Sequence, residues 1–346
     1  MGIVNQIIKE YVPKMSRGEK EYLLESLAAL IDRELIDGLT EDDRTACPHC
    51  GCPHTVKKGR SGTHQRYLCK GCARTFCSST NRILALSKLD RGIWVDYARC
   101  MIDGLTLRRS AERCGVGLKT SFYMRIRICE CIAGFLEAFR VGTGCAAEID
   151  EYYLHESFKG NHAKNPAFTM PRRPKRRPSD NLKGGISKEN ICILTGINDR
   201  GAVFLEMAGR STLSNAQALE LLSGKILEGA IVSTDWHPGY KTVMSELKVA
   251  VHNRYPSRYR KGGVINAINS LHARLSFFLA SFKGVSTRRL HHYLSWFSWL
   301  ESFRLRNHDE HVTLAAGQIA NGYYRMRLKD CWQAPYPFGD YWGLAY

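Results

Sequence analysis

The chain has 346 residues, enough for two or three domains with a sizeable core. Its 50 lysines and arginines stand against 33 acids, a net charge of +17 that selects a polyanionic partner, nucleic acid first. No apolar stretch approaches the roughly 18 to 20 uncharged residues of a membrane span, so a membrane partner is not expected.

MGIVNQIIKEYVPKMSRGEK lacks the apolar core and cleavage site of a signal peptide, so the 13 cysteines are expected to be reduced and the location cytoplasmic, with the nucleoid. Residues 1–44 read as a helical segment. Met15, Leu23, Leu24, Leu27, Ala28, Leu30 and Ile31 recur at helical spacing, and Ser16 with Glu19 fits a capping box. A helical cap or docking arm is the expected role.

Residues 45–80 carry a stronger signal. Cys47 and Cys50 are two residues apart, Cys69 and Cys72 likewise, and 18 residues separate the pairs. Four thiolates from two such knuckles close a tetrahedral Zn2+ site, and the spacing is that of a zinc ribbon. Cys52, Cys77, His49 and His54 are alternative ligands. Lys57, Lys58, Arg60, Arg66, Lys70 and Arg74 make the segment basic, so it can lie along a phosphate backbone.

Residues 88–134 read as a DNA-binding helix-turn-helix region. Leu107 and Ala111 would face the core, and Gly115 and Val116 would turn the chain. A helix from about Lys119 to Ile128 would present Lys119, Thr120, Ser121, Tyr123 and Arg127 outward. Cys100, Cys114, Cys129 and Cys131 are expected as small core residues.

From residue 143 to 305 the pattern changes to alternating and continuous apolar runs. CAAEIDEYYLHES reads as a strand carrying Asp150, and NICILTGINDRGAVFLEMAG as a hairpin turning at residues 198–201. SNAQALELLSGKIL reads as a helix capped by Ser214, AIVSTDWHPGY as a buried strand ending at Asp235, VAVHN as a further strand, and the segment from Val264 as a helix. That order predicts a mixed sheet with helices packed on it, and an α+β multidomain chain as a whole. The insert 159–185 is rich in proline and arginine, so it reads as a loop or arm offering Arg172, Arg173, Lys175, Arg176 and Arg177 to phosphate. Between Leu247 and Leu300 there is no acid but nine lysines and arginines, Arg274 and Lys283 among them, and this window is expected to form much of a DNA face. The aromatic tail within residues 306–346 is expected to dock on the core or on a partner. Asp150 and Asp235, on different strands, would form a carboxylate pair for Mg2+ or Mn2+.

The order of these features resembles a known family. The paired Cys knuckles, the helix-turn-helix, AEIDEYY with KG downstream, STDWHPGY, INAINSLHARL and FKGVSTRRLHHYLSWF run from about residue 45 to residue 305. Together they resemble the bacterial insertion-sequence transposases of the Merlin-related branch of the DDE superfamily. The resemblance implies an RNase H-like catalytic core in which Asp150 and Asp235 are the first two metal ligands. Its third position, Glu in a V-N-x-x-E-S type motif, falls on Asn269, where no acid nearby in the sequence replaces the charge. His272, one helical turn on, would help to position water or phosphate. Such an enzyme binds terminal inverted repeats, cuts the ends by metal-assisted hydrolysis and joins the 3′ hydroxyls to target DNA. Its partner is double-stranded DNA, and synapsis of two ends requires at least a homodimer. A non-catalytic DNA-binding regulator derived from a transposase and a metal-dependent nuclease are the alternatives.

Overall fold

A computed structural model describes residues 9–23, 26–27, 46–61, 64–85, 87–160, 171, 188–255, 265–322, 331 and 334–343. The chain divides into two compact units, Met1–Ile102 with His308–Tyr324, and Asp103–Asn307 with Arg325–Tyr346. Most of the arginine-rich insert, including Arg172, Arg173, Lys175, Arg176 and Arg177, lies outside the described residues, as do most of residues 24–45.

In the first unit the Ser16 hydroxyl accepts from the Glu19 N–H at 3.3 Å and the Glu19 carboxylate accepts from the Ser16 N–H at 2.7 Å, the reciprocal capping box ahead of helical residues 17–23. Strands β1 (Thr55–Ser61), β2 (His64–Cys69) and β3 (Thr75–Cys77) form an antiparallel sheet in that order. Helix α1 (Arg91–Ile102) buries Val95 against Val312 and Ala316 of the late helix α8 (His308–Asn321), and Arg82 donates to the Ala320 carbonyl at 2.9 Å. Residues 306–346 are therefore more than a tail. Their first part is a helix of this unit.

The second unit begins with α2 (Leu107–Arg113) and α3 (Leu118–Ala133), the two helices of the expected helix-turn-helix. Thr106 caps α2 by accepting from the Arg109 N–H, and Gly115 turns the chain at φ +62°, a left-handed conformation that favours glycine. Ser121, expected to point outward, is instead fully buried and donates to the Leu107 carbonyl at 2.8 Å. A small hydroxyl can pair with a carbonyl between two close helices, so its polarity was no guide to its exposure.

A five-stranded mixed sheet follows, in the order β6-β5-β4-β7-β8. Strands β4 (Ala146–His155), β5 (Asn190–Asn198) and β6 (Val203–Arg210) pair antiparallel, while β7 (Ile231–Asp235) and β8 (Val251–Tyr255) join in parallel. β5 is buried along nearly its whole length, which is why NICILTGI reads as a continuous apolar run. Gly196 is demanded by packing, because a Cβ there would stand 2.2 Å from the Phe204 ring. Helix α4 (Asn215–Leu222) starts at a Ser214–Gln217 capping box.

The sequence reading passed directly from β7 to β8. A parallel pair cannot be joined by a hairpin, and the chain inserts α5 (Pro238–Glu246), with His237 as N-cap and proline at its first position. Helices α6 (Asn266–Ser281) and α7 (Leu290–Ser302) complete the unit. Its main core joins Ala147, Ile149, Leu194 and Val232 of the sheet to Ala218, Leu222, Tyr240 and Val243 of α4 and α5. The aromatic tail docks on this unit. Trp342 donates to Glu156 at 2.5 Å, Arg210 pairs with the same carboxylate, and Phe158 packs with Tyr336 and Trp342.

Candidate active site and metal centre

The strand period of two turns Ala147, Ile149 and Tyr153 of β4 into the core with α4 and α5. Glu148, Asp150 and Tyr152 face the other way, toward α6. Glu148 accepts from the Ile268 N–H at 2.9 Å, and the Tyr152 hydroxyl meets Ser276 at 2.7 Å. The parallel pairing sets Ile149 opposite Thr234, so Asp150 and Asp235 follow one residue further along neighbouring strands.

Asp150, Glu151 and Asp235 each offer a carboxylate oxygen within 4.8 Å of the others. The sequence reading found no acid to make up the charge missing at Asn269; Glu151 lies in the cluster and provides one. It reaches the strand edge from the α5 side, where it accepts from the Tyr240 hydroxyl at 2.8 Å. Asp235 accepts from the His237 N–H at 3.0 Å, which ties it to the turn into α5. Burial, then the Glu151 charge, push Asp150 up to about 7, against a hydrogen bond from the Glu151 N–H. Burial likewise raises Glu151, against its bond from Tyr240. Crowded oxygens that resist ionising alone form a hard donor set of the kind that holds Mg2+ or Mn2+.

His272, on α6, faces this cluster from the other side. Thr195 Oγ1 donates to the Asp150 carbonyl at 2.8 Å, so His272 Nε2, 2.7 Å from that hydroxyl, must be the donor. Nδ1 is then left with its lone pair 3.9 Å from Asp150 Oδ2. Burial lowers His272 to about 4, which keeps the ring neutral at physiological pH.

Asn269, expected as the third ligand, is exposed on the first turn of α6, one helical turn before His272, and its side chain makes no hydrogen bond to either aspartate among the described residues. Arg274, expected at a DNA face, is committed to Glu301, with Nε and Nη2 each 2.8 Å from a carboxylate oxygen. That acid lies just past the acid-free window, so composition alone gives no sign of the pairing. Lys283 is exposed, and so are Lys119 on α3 and Lys57, Lys58 and Arg60 on β1; Arg127 is half-buried.

Trp236, next to Asp235, is 58% exposed. The Arg254 guanidinium lies 4.9 Å from its ring centre and donates to its carbonyl at 2.7 Å.

In the first unit, Cys47, Cys50, Cys69 and Cys72 converge, with Sγ–Sγ distances of 3.7 Å for Cys47–Cys72 and 3.6 Å for Cys50–Cys69. A tetrahedron of Zn–S bonds near 2.3 Å has sulfur atoms about 3.8 Å apart, so the four thiols fit a zinc ion. The N–H groups of Gly71 and Cys72 point at the Cys69 sulfur from 3.3 and 3.4 Å. Led by the Cys72 N–H, and against burial, such bonds hold that thiol down at about 6. Cys52, Cys77, His49 and His54 are not in the group.

No known family profile matches the chain. It is similar to an uncharacterized protein in transposable element ISH50 of Halobacterium salinarum, 25% identical over 257 residues, which are 72% of this chain and 83% of that protein. Two solved structures align at low similarity. The crystal structure of a pre-cleavage Mos1 transpososome covers 64% of this chain and 78% of its own at 12% identity and a TM-score of 0.25. The Mos1 strand transfer complex covers 72% and 79% at 15% identity and a TM-score of 0.26. Scores of this size do not establish a shared fold.

Several residues of the site are not picked out by the sequence, Trp236 and Arg254 among them. Glu151 is visible in the string EIDE, but there it reads as one more residue of the strand. Glu148 and Thr195 carry no local signal, because each acts on a segment distant in sequence, and the KG motif that contains Lys159 gives no sign of its partners. Lys159 donates to the carbonyls of Phe282, Lys283 and Gly284 at 2.8, 3.1 and 2.8 Å, gathering the chain just past the end of α6.

Proposed function

We propose that this chain is a DNA transposase with an RNase H-like core, which binds the ends of its element, hydrolyses them and joins the 3′ hydroxyls to target DNA. The observation that carries the reading is the convergence of Asp150, Glu151 and Asp235 at the edge of two parallel strands, in a chain of net charge +17. The order of three antiparallel strands with two parallel strands added supports the fold assignment. Similarity to a protein of a transposable element supports the biological setting.

Asp150, Glu151 and Asp235 would hold Mg2+ or Mn2+, which supplies activation of the attacking oxygen and stabilisation of the leaving oxygen. The chain's own residues do the positioning. Thr195 fixes the His272 tautomer, and the free Nδ1 can accept a proton from water or a hydroxyl beside Asp150. Glu148 holds the start of α6 against the same strand. Trp236 presents an exposed ring, and Arg254 a charge, next to the acids where DNA would lie. The four cysteines would hold a structural Zn2+ that forms the basic β-sheet into a phosphate-binding ribbon, with α2–α3 as the sequence-reading element and dimerisation at synapsis.

The test is cleavage of the element's own ends with Mg2+ or Mn2+. Asp150→Asn and Asp235→Asn should each abolish strand cleavage and leave end binding within about threefold of the parent, since neither touches the recognition helices. Cleavage surviving in either variant would place the chemistry elsewhere. The second reading, a regulator without catalysis, is favoured by the exposure of the uncharged Asn269; it predicts binding to the ends with no cleavage by the parent chain.

A further inference from the structure

A second group of metal-ligating side chains joins two helices of the larger unit. Glu130 lies in the last turns of α3, and His291 and His292 in the first turn of α7. One ligand atom from each comes within 4.8 Å of the other two. A Glu130 oxygen stands 2.7 Å from His292 Nε2 and 3.9 Å from His291 Nε2, and the two ring centres are 3.8 Å apart. His292 is only 1% exposed; its Nε2 meets the Glu130 oxygen at 2.7 Å, off the axis that an N–H donor prefers, and its Nδ1 has no hydrogen-bond partner among the described residues. An imidazole buried in this state costs free energy unless something else satisfies it.

We propose that Glu130, His291 and His292 form a metal centre for one first-row divalent ion, zinc by donor type, which cross-links α3 to α7. Two imidazole nitrogens and one carboxylate oxygen are a mixed borderline set. They differ from the all-oxygen cluster at Asp150 and from the all-sulfur cluster at Cys47. Bonds of about 2.0 to 2.2 Å place tetrahedral ligand atoms roughly 3.3 Å apart, so the present 2.7 and 3.9 Å separations need side-chain shifts on the order of 1 Å or less. His291 and Glu130 have side chains 47% and 34% exposed, which leaves a fourth position open to water, while His292 closes the site from the inside. The effect is mechanical. A metal bond at the end of α3 fixes that helix to α7. The inference holds whether or not the chain is a transposase.

The experiment is Co2+ uptake by the full chain after removal of bound metal, followed by absorption spectroscopy and metal analysis. The parent should bind one equivalent more than Glu130→Gln or His291→Ala. The missing equivalent should be one without the intense near-ultraviolet thiolate-to-cobalt band, and that band should persist in both variants. Asp235→Asn should keep the equivalent, which separates this centre from the acid cluster. Far-ultraviolet circular dichroism matching the parent qualifies each variant, and His291→Gln replaces His291→Ala if the latter does not fold. Equal uptake by the parent and the His291 variant overturns the proposal, as does loss of the same equivalent in Asp235→Asn.

Discussion

Asp150 is pushed up to about 7, while an aspartate in an unfolded chain titrates near 4. The folded protein therefore holds this proton more tightly than the unfolded one. Its contribution to stability is fully present below about pH 4 and is lost as pH rises through about 7. Above that, the ionised acids repel, and a divalent cation relieves them. Without added metal, the parent should lose thermal stability relative to Asp150→Asn between pH 4 and 7, and Mg2+ or Mn2+ should restore it at pH 8. A difference between the two proteins that stays constant with pH and metal would contradict the assignment. His272, lowered to about 4 by burial, binds its proton more tightly in the unfolded chain and so adds stability as pH rises through this window, but it does so in both proteins and drops out of their difference.

Helix α6 shows how one element is positioned from outside itself. Its own N-cap, Ile265, has no side-chain oxygen to offer, and Glu148 of β4 accepts from the Ile268 N–H instead. Lys159 gathers the carbonyls past its other end, and Arg274 binds it to Glu301 of α7. Glu148→Ala leaves a helix N–H without its acceptor and should cost about 1 kcal/mol in urea unfolding, the usual range for a lost N-cap being roughly 0.5 to 2 kcal/mol. Because α6 carries His272, the same change should lower the cleavage rate while leaving DNA affinity intact. Glu148→Gln, which keeps an acceptor oxygen, should recover most of the stability. Equal unfolding midpoints for Glu148→Ala and the parent would remove Glu148 from this role.

Across the whole molecule the net charge of +17 is spread unevenly. Lys57, Lys58, Arg60, Arg66, Lys70 and Arg74 are all exposed in the small sheet, and the acids that matter gather at one strand edge of the larger unit. DNA affinity should fall steeply between 50 and 200 mM salt, because each neutralised phosphate contributes about −0.9 to the log–log slope. Replacing Lys58 and Arg60 together by alanine should reduce that slope by about 2, read by fluorescence anisotropy over a salt series. A slope unchanged in the double variant would take the small sheet out of the DNA face.

Local chemistry was legible in the amino-acid string. The Cys47–Cys50 and Cys69–Cys72 knuckles, the Ser16 and Ser214 caps, the turn at Gly115 and the strands bearing Asp150 and Asp235 all depend on neighbours a few residues away, so spacing reveals them. The mixed sheet followed from the order of those elements. Partnerships between distant segments were not legible. Glu151 joined the acids only when β7 paired in parallel with β4. Arg274 is paired with Glu301 of α7, Ser121 is buried by the close approach of α2 to α3, and α5 is required by a crossover that only strand direction dictates. Local periodicity reports which face of an element is buried. It carries no record of what that face meets, and the distances among side chains from separate elements arise only when the chain closes on itself.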